Sequence, residues 1–425
     1  MAKISVPYGK TVQKAVISDD IELQVIDIDT PKVTISEEQL IKEAMDKPIG
    51  SERVENLVKK DDKVVIVVND HTRPGPTKLI VQEVINRLTS AGVIDDHIKF
   101  IVATGSHRKT TEEEIAQIIG SEYRARFEVV VHDCLDKENI VYIGNTISGI
   151  PIYINKLVVQ CTFCITTGLI APHHTAGYSG GRKSIVPGVA GIATLKIHHS
   201  LPIRPFEPAM GFIYGNLFHE VALEAAKKVN VGFMINAVQD PHKQNVAFVA
   251  GEIEQAHAKG VEICKEVSEV EIRGLADIVI TSPGGYPRDC NLYQAQKALS
   301  VAEPLGKPNC IYILIANAEE GIGEGVFRKW LVEAKNPQEV VARFKREGYS
   351  VGSNKAFMYA RAMTKGRIII VTENIKEKDL NEMMLEWAPN LQTAIEKACN
   401  EKAIRNIIVL PRAVNIIPHV IIKKP

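Results

Sequence analysis

The chain has 425 residues, of which 45% are hydrophobic, and 51 basic residues balance 51 acidic ones. This length supports a sizeable core that is divided among two or three domains. A formal net charge of zero gives no field that attracts nucleic acid or an anionic membrane, which favours a small polar metabolite as the partner.

The N-terminal sequence and the cysteines predict a cytoplasmic protein. The segment MAKISVPYGKTVQ lacks the apolar core of a secretory signal, and no apolar run approaches the roughly 20 residues of a membrane span. Seven scattered cysteines favour reduced thiols over a disulfide framework. The CxxC pair Cys161 and Cys164 lies in an apolar run, and strand alternation predicts that its two sulfurs point to opposite faces.

Strands and helices alternate from about residue 60 onward. The apolar runs of the first series predict strands at 63–70, 97–105, 127–133 and 157–168. Helical spacing predicts helices at 77–92 and 110–120. A second series predicts strands at 276–285, 309–317, 367–374 and 406–411, and helices at 292–304, 337–348 and 391–401. Such alternation indicates parallel βαβ units.

These elements predict an α/β protein in which two α/β domains with mainly parallel sheets face a central cleft. We place the domain boundary near residue 270, which gives domains 1–270 and 271–425. The first 60 residues are expected to add a small β element to the first domain. We also consider a return of the last residues to that domain.

Polar segments follow the predicted strands, where ligands collect in parallel sheets. They are NDHTRP (69–74), ATGSHRKT (103–110), TGLIAPHHTAGYSGGRKS (167–184) and SPGGYPRDCNLYQAQK (282–297). Histidine occurs in the first three of these segments. Because imidazole gains and loses protons near neutral pH, two such rings beside a pocket suit a reaction that runs in both directions.

The segment GYSGGRKS is similar to a phosphate-binding loop but departs from it. The GK[ST] ending of that loop requires a glycine where Arg182 stands, so this interpretation fails. A glycine-rich turn with Arg182 and Lys183 could still hold an anion. A surface loop with solvated charges is the alternative, and the residues leave both open.

The remaining polar groups have structural alternatives, which are favoured when each group is considered by itself. Arg73 could grip a carboxylate or phosphate with two nitrogens, although Asp70 and Thr72 beside prolines are also typical of a helix-capping turn. His198 and His199 point about 100° apart on a helix, so at most one of them could bind a given metal.

A helical segment of the second domain carries the last candidate group. Tyr293, Gln294 and Lys297 lie in YQAQK, where Tyr293 and Lys297 are one turn apart on one face. They could hold a carboxylate or carbonyl group. A solvated helix face is the alternative.

Taken together, DHTRP, TGSHR, PHHTAGYSGGRKSIVPG with a following HHS, and YQAQK resemble the nickel-dependent lactate racemase family of 2-hydroxyacid racemases and epimerases. The resemblance covers most of the chain. It implies two cofactors, nickel and a nickel-pincer nucleotide, which is pyridinium-3,5-bisthiocarboxylic acid mononucleotide. The resemblance further implies that Lys183 binds this nucleotide covalently and that His199 binds the nickel.

The same resemblance implies a two-base mechanism. His107 and His173 are the implied proton-transfer residues, one on each side of the substrate. One imidazole removes the hydroxyl proton while the C2 hydride moves to the cofactor, which gives a bound 2-keto acid. Hydride return to the other face, with a proton from the opposite imidazole, gives the other enantiomer. Because C2–H is very weakly acidic, hydride removal avoids a costly carbanion.

The binding residues are also implied by the resemblance. The first domain would bind the cofactor and carry the catalytic groups, and the second would contribute substrate contacts. The implied cofactor-binding residues are Asp70, His71, Thr72, Arg73 and Lys183. The implied substrate-binding residues are Arg73, Tyr293, Gln294 and Lys297, of which Lys297 would pair with the carboxylate.

Interconversion of D- and L-lactate through bound pyruvate is the expected reaction, with cofactor-synthesis enzymes as maturation partners. A racemase or epimerase of malate, a longer-chain acid or a sugar acid is the first alternative. A non-catalytic nucleotide- or metal-binding homologue is the alternative from another class. A nicotinamide dehydrogenase is disfavoured because no GxGxxG follows a first strand with an acidic residue about 20 positions later.

Overall fold

The computed structural model describes residues 1–28, 33–201, 210–401 and 403–421. In chain order the strands are β1 (Ala2–Tyr8), β2 (Thr11–Ile17), β3 (Glu22–Val25), β4 (Val64–Asn69), β5 (Ile98–Ala103), β6 (Glu128–Val131), β7 (Ile140–Asn145), β8 (Pro151–Asn155), β9 (Phe163–Ile170), β10 (Pro172–His173), β11 (Gly177–Tyr178), β12 (Val231–Gln239), β13 (Asn245–Gly251), β14 (Glu269–Arg273), β15 (Ala276–Thr281), β16 (Gly306–Ile315), β17 (Gly366–Val371), β18 (Glu386–Ala388), β19 (Asn406–Leu410) and β20 (Ile417–Ile421). The helices are α1 (Glu37–Asp46), α2 (Val54–Leu57), α3 (Thr77–Ser90), α4 (Glu112–Ile119), α5 (Ser121–Arg126), α6 (Lys156–Gln160), α7 (Ile192–His198), α8 (Leu217–Lys228), α9 (Ile253–Glu266), α10 (Leu292–Ala302), α11 (Gly325–Glu333), α12 (Pro337–Glu347), α13 (Ser353–Met363), α14 (Glu377–Glu382) and α15 (Leu391–Glu401).

The chain divides into two compact units. The central unit comprises the described residues of 33–267, except Met210. The terminal unit comprises those of 1–28 and 268–421, together with Met210. The division between Val267 and Ser268 lies close to the boundary expected near residue 270.

Residues 33–60 belong to the central unit as expected, but the expected place of the first three strands is wrong. Strand β3 pairs in parallel with β19, so it extends the sheet of the terminal unit instead of the first domain. The β1–β2 hairpin buries Ile4 and Val6 in the core that also contains Ile278 of β15. Strand β20 pairs with β14 and likewise belongs to the terminal unit. The β3–β19 and β14–β20 partners lie more than 100 residues apart in sequence, where local pattern carries no information about pairing.

The sheet of the central unit positions the candidate residues. Its strand order is β13-β12-β9-β4-β5-β6, and its neighbours are parallel except for β12 and β13. Residues Val64–Val68 of β4 are all buried, as a parallel strand that is covered on both faces requires. From β4 the chain proceeds outward to β5 and β6 and then returns to the other side with β9. The carboxyl ends of β4 and β9 therefore form a topological switch point, the usual ligand position in such sheets.

The apolar run predicted as one strand at 157–168 contains a helix and a strand. The Asn155 side chain accepts a hydrogen bond from the Leu157 N–H and begins helix α6, after which β9 starts at Phe163. Cys161 thus precedes the strand, and a hydrogen bond from Cys164 lowers the pKa of the Cys161 thiol. The predicted placement of the two sulfurs on opposite faces is wrong.

The sheet of the terminal unit is parallel throughout its described strands, in the order β18-β17-β16-β15-β19-β3. Helix α10 follows β15 and packs into a core with α13. The predicted α/β class with mainly parallel sheets is confirmed, while the predicted cleft stays a prediction. Among the described residues, no helix is both long enough and apolar enough to cross a membrane.

Candidate active site

Three adjacent strands of the central unit deliver polar side chains from their carboxyl ends. Asp70 follows β4, His107 follows β5, and His173 follows β9. Because β4 pairs with both β5 and β9, the three strands end side by side at one edge of the sheet. The pattern of strand ends in the sequence therefore predicted this convergence correctly.

Asp70 and His107 form a carboxylate–imidazole pair. The His107 Nδ1 lies 2.6 Å from the Asp70 Oδ2, and Asp70 is almost fully buried. The second oxygen, Oδ1, accepts hydrogen bonds from the Thr72 hydroxyl at 2.7 Å and the Thr72 N–H at 3.1 Å. Because an ionised carboxylate only accepts, the His107 proton lies on Nδ1 and the lone pair on Nε2.

The environment of Asp70 keeps this carboxyl ionised. Burial raises the pKa of Asp70, but the hydrogen bond and charge of His107, with Arg73 and Thr72, outweigh burial and hold that pKa well below its usual range. Arg73 donates to the Thr72 hydroxyl at 2.8 Å. Asp70 therefore orients the His107 ring through a hydrogen bond. The sequence predicted only a cofactor contact or a helix cap for Asp70.

His71 has different neighbours from the rest of the DHTR segment. Its Nδ1 lies 3.7 Å from a Glu114 carboxylate oxygen and 3.5 Å from the Thr110 hydroxyl. Glu114 belongs to α4, where it forms a capping box with Thr111. The structure thus joins His71 to the start of a helix, and its implied cofactor contact stays a prediction.

His173 has the opposite arrangement of ring nitrogens from His107. Its Nδ1 lies 3.2 Å from the N–H groups of Thr175 and Ala176, and 3.1 Å from the Thr175 hydroxyl. Its Nε2 lies 2.8 Å from the Lys183 Nζ. The ring of His174, for which sequence reasoning found no role, stacks on His173 with centroids 4.8 Å apart.

Lys183 is partly buried on a short turn that follows Gly180. Burial lowers the pKa of Lys183 well below its ordinary value, and the charges of Arg73 and Arg182 lower it further. The turn approaches β12, since a Cβ on Gly180 would lie 2.5 Å from the Asn236 Oδ1. With a φ of +79° this position also favours glycine by conformation. The glycine here is thus required by packing within the protein itself.

Arg182 has a structural role that overturns the solvated-loop interpretation. Its side chain is about 1% exposed, and its terminal nitrogens donate to the carbonyl groups of the segment 176–180. One of them also donates to the His257 Nε2 at 2.6 Å. These contacts occupy most of the guanidinium, while the expectation that the turn with Arg182 and Lys183 holds an anion stays a prediction. Arg182 instead holds the loop between His173 and Lys183.

Neutral histidines surround Arg182, and sequence reasoning missed two of them. Burial lowers the pKa of His257 well below its ordinary value, with a further contribution from Arg182. Burial and Arg182 lower the pKa of His219 to about 3. His219 lies on α8 and His257 on α9, each remote in sequence from the loop. No motif marks them, because a neutral histidine in a core differs from its neighbours only through its tertiary contacts.

The structure distinguishes His199 from His198. The His198 ring is fully buried, lies 3.6 Å from the Phe218 ring centroid, and donates from Nε2 to the Phe218 carbonyl at 2.9 Å. His199 is half-buried, and its Nδ1 lies 3.1 Å from the Leu195 carbonyl. Because a carbonyl only accepts, the Nδ1 of His199 carries the proton and the lone pair lies on Nε2. A metal-binding histidine usually donates its other ring N–H to such a carbonyl.

In the terminal unit, the predicted substrate group is assembled on α10. Asn291 caps the helix by accepting from the Gln294 N–H at 2.9 Å, and Lys297 donates to the Gln294 side-chain oxygen at 2.7 Å. Tyr293 packs against Phe327 with ring centroids 6.3 Å apart. The interpretation of a purely solvated face is wrong, because all three side chains are partly buried.

The described residues contain no cluster of three or more His, Cys, Asp or Glu side chains arranged to hold a metal ion. Family profiles match both halves of the chain. The profile described as "Lactate racemase N-terminal domain" matches residues 8–211, and the one described as "Lactate racemase C-terminal domain" matches residues 272–418. The chain belongs to the lactate racemase family.

Relatives of nearly equal length support this membership. A lactate racemase from Thermoanaerobacterium thermosaccharolyticum is 35% identical over 431 residues, which cover 98% of this chain and 99% of that protein. A lactate racemase from Lactiplantibacillus plantarum is 32% identical over 428 residues, which cover 98% of this chain and all of that protein. The predicted membership of the lactate racemase family is confirmed, and the chain is an isomerase of the racemase type.

Solved structures agree with the fold. The apoprotein structure of the lactate racemase from Thermoanaerobacterium thermosaccharolyticum matches with a TM-score of 0.91 and 33% identity, over 98% of this chain and 100% of that chain. A protein from Thermotoga maritima matches with a TM-score of 0.69 and 18% identity, over 90% of this chain and 98% of that one. The second likeness concerns the fold alone.

Proposed function

We propose that this protein interconverts D- and L-lactate in the cytoplasm with a nickel-pincer nucleotide bound to Lys183. The observation that carries the proposal is the edge of the central sheet, where a carboxylate-held imidazole and an imidazole in contact with a buried lysine follow neighbouring strands. The relatives that are similar over nearly their whole length are lactate racemases, which supports lactate as the substrate.

The residues around Lys183 fit an anionic group that carries a metal. Buried polar atoms without a hydrogen-bond partner among the described residues include the Arg182 Nε, the His198 Nδ1 and the His219 Nδ1. Arg73 and Arg182 contribute positive charge to Lys183, and the nearby carboxylate of Asp70 is paired with His107. A thiocarboxylate and phosphate would complement this charge, while His199 would supply one nitrogen ligand to nickel.

Each residue has a defined task in the proposed reaction. When bound, the nucleotide supplies the acceptor and donor of the C2 hydride. The His107 Nε2 takes the hydroxyl proton, and Asp70 stabilises the resulting imidazolium. His173 handles the proton on the other side of the substrate. Removing a proton from oxygen while hydride leaves carbon avoids a carbanion at C2.

The remaining residues bind and orient. Lys297 would pair with the substrate carboxylate, and Tyr293 and Gln294 would orient the molecule from the start of α10. Thr72, Arg73 and His71 are the proposed nucleotide contacts, and Arg73 also serves the substrate. Asp70, although part of the same segment, acts through His107 as a positioning residue.

The test uses the full chain produced together with nucleotide-synthesis enzymes, the proposed maturation partners. We expect Lys183 to gain the mass of the nucleotide, nickel to bind in about one equivalent, and either lactate enantiomer to become a racemic mixture on chiral chromatography. A Lys183→Arg variant is the control, because arginine forms no thioamide. An unmodified Lys183 and no nickel in co-produced wild-type protein would overturn the cofactor assignment.

Substrate choice is tested on the same loaded protein with single enantiomers of lactate, malate, longer-chain 2-hydroxy acids and sugar acids. We expect lactate to racemise fastest. Faster turnover of another acid would keep the reaction class and replace the substrate. A fully loaded chain that racemises none of them would favour the non-catalytic homologue.

A further inference from the structure

We propose that His173 has an earlier task in the cofactor-free chain, in which it holds Lys183 as a neutral amine that is ready to be acylated. This inference rests on the proposed function only for the identity of the acyl donor. It makes His173 a positioning residue for the attachment step before it takes part in racemisation.

The neighbours of His173 fix the position of its ring proton. Three donors surround its Nδ1, namely the N–H groups of Thr175 and Ala176 and the Thr175 hydroxyl. A protonated Nδ1 would direct its N–H at two backbone N–H groups, which have no lone pair to offer. The Nδ1 therefore accepts, and the proton of the neutral ring lies on Nε2.

The His173 Nε2 is in contact with the lysine. The Lys183 Nζ lies 2.8 Å from the His173 Nε2, a hydrogen-bond distance that requires one donor and one acceptor. Because Nε2 carries the proton, Nζ must accept it through a lone pair. An ammonium group has three donors and no lone pair, so the contact as placed selects the amine.

The groups around Lys183 also favour its neutral amine. Burial, Arg73 and Arg182 all lower the pKa of Lys183, which favours the amine independently of His173. The Phe218 ring opposes this, since its centroid lies 5.6 Å from Nζ and a ring face attracts an ammonium. Such an attraction is weaker than the combined cost of burying a charge and placing it near two arginines.

The attachment step balances with a neutral amine. The lone pair of Nζ forms an N–C bond at the thiocarboxyl carbon, the C–O bond breaks, and the sulfur stays as the thioamide. The oxygen leaves as water with one proton from the amine and one from the thioacid. No oxidant or reductant is consumed. An ammonium could not begin this step, because it has no lone pair.

Attachment of the nucleotide changes the hydrogen-bond partner of His173. A thioamide nitrogen has lost the basic lone pair that accepts from the His173 Nε2. Attachment therefore ends the His173–Lys183 contact as it exists in the free lysine and leaves His173 to take a new partner. The same imidazole would serve the lysine first and the substrate afterwards.

The test measures acylation of the cofactor-free full chain by limiting acetic anhydride near pH 7.5, with peptide mapping by mass spectrometry. Lys378, which is exposed on α14, is the internal reference. An ordinary lysine is neutral in about one molecule in 10³ at this pH. We expect Lys183 to react at least about tenfold faster than Lys378 despite its partial burial. A Lys183 that reacts more slowly than Lys378 would overturn the proposal.

A matched pair of variants isolates the role of His173. In His173→Gln the side chain stays neutral and can donate to the amine, whereas in His173→Glu a carboxylate of the same shape stabilises the ammonium. We expect acylation of Lys183 to stay within about threefold of wild type in the Gln variant and to fall at least about tenfold in the Glu variant. Equal rates in all three proteins would contradict the inference.

Two further measurements separate the inference from the proposed function. The 15N resonance of Nζ, assigned by its loss in Lys183→Arg, reports the amine or the ammonium directly and requires no reagent access. Co-production with the nucleotide-synthesis enzymes then tests attachment by intact mass. An ammonium resonance in the wild-type chain would contradict the inference. A neutral amine that never gains the nucleotide mass would contradict only the proposed cofactor.

Discussion

His107 and His173 lie at the same edge of one sheet but have opposite arrangements of their ring nitrogens. A buried carboxylate holds the Nδ1–H of His107, which leaves a lone pair on Nε2. Backbone N–H groups and a hydroxyl surround the Nδ1 of His173, which leaves the proton on Nε2. The residue type is the same in both, and the neighbours decide which ring begins as a base.

The residues that hold the His107 and His173 rings in place also differ. Asp70 acts on His107 directly, through one short hydrogen bond from a turn of four residues. The loop of His173 is held by Arg182, which in turn rests on the neutral ring of His257. One side thus depends on a charge pair and the other on a buried cation for which the described residues show no carboxylate partner. The following changes test each side in turn.

The largest effect is expected for His107→Asn in the loaded protein. Loss of the proton acceptor should lower turnover by about 10³-fold or more, because general acid–base groups contribute about 10²–10⁴. His97→Asn, at the opposite end of β5, is the matched control and should retain activity. Initial rates come from chiral chromatography and loading from intact mass. Wild-type turnover in a fully loaded His107 variant would remove this ring from the mechanism.

The next effect concerns the His173 side. Arg182→Met removes the side-chain donors to the buried carbonyls of Ala176 and Tyr178, and each such group costs about 1–3 kcal/mol. We expect a loss of at least about 3 kcal/mol in the free energy of unfolding, measured with urea. Arg108→Met breaks an ion pair with Glu114 and an exposed hydrogen bond to the Lys109 carbonyl, and it should change the free energy of unfolding by about 1 kcal/mol or less. Equal stabilities of the two variants would show that the loop does not depend on Arg182.

A smaller effect is expected from Asp70→Asn. The asparagine can keep the shape and a hydrogen bond to His107 but removes the charge that stabilises the imidazolium. We expect kcat to fall by about 10²-fold with loading unchanged, and the acidic limb of the pH–rate profile to move to lower pH. An unchanged profile in the loaded variant would mean that Asp70 only shapes the turn.

The smallest effect concerns pH and the support of Arg182. A histidine whose pKa is lowered on folding is neutral in the folded chain and protonated in the unfolded chain below about pH 6.5. His257 has such a lowered pKa, so its contribution to stability falls as the pH drops from about 6.5. In His257→Gln, whose oxygen accepts from Arg182 without titrating, the loss of stability between pH 7 and pH 5 should be smaller by about 2 kcal/mol. An identical loss in both proteins, measured with urea at the two pH values, would contradict the assignment.

The sequence determined most of the strands and helices and named the candidate site residues. Continuous apolar runs such as Val64–Val68 indicate buried parallel strands, because such strands are covered on both faces. Polar segments after these runs mark the carboxyl ends, where Asp70, His107 and His173 meet. The four joint motifs were sufficient for the family, which the comparisons confirm.

Only the tertiary structure decided which groups each side chain contacts. The placement of β3 beside β19 and the burial of Arg182 depend on partners that are distant in sequence. The same holds for the difference between His198 and His199, whose ring nitrogens contact the Phe218 and Leu195 carbonyls respectively. Protonation of a histidine ring also depends on tertiary contacts, because the nitrogen that faces a hydrogen-bond acceptor carries the proton. Candidate site residues can therefore be predicted from the sequence, whereas proton positions and buried contacts are properties of the folded chain.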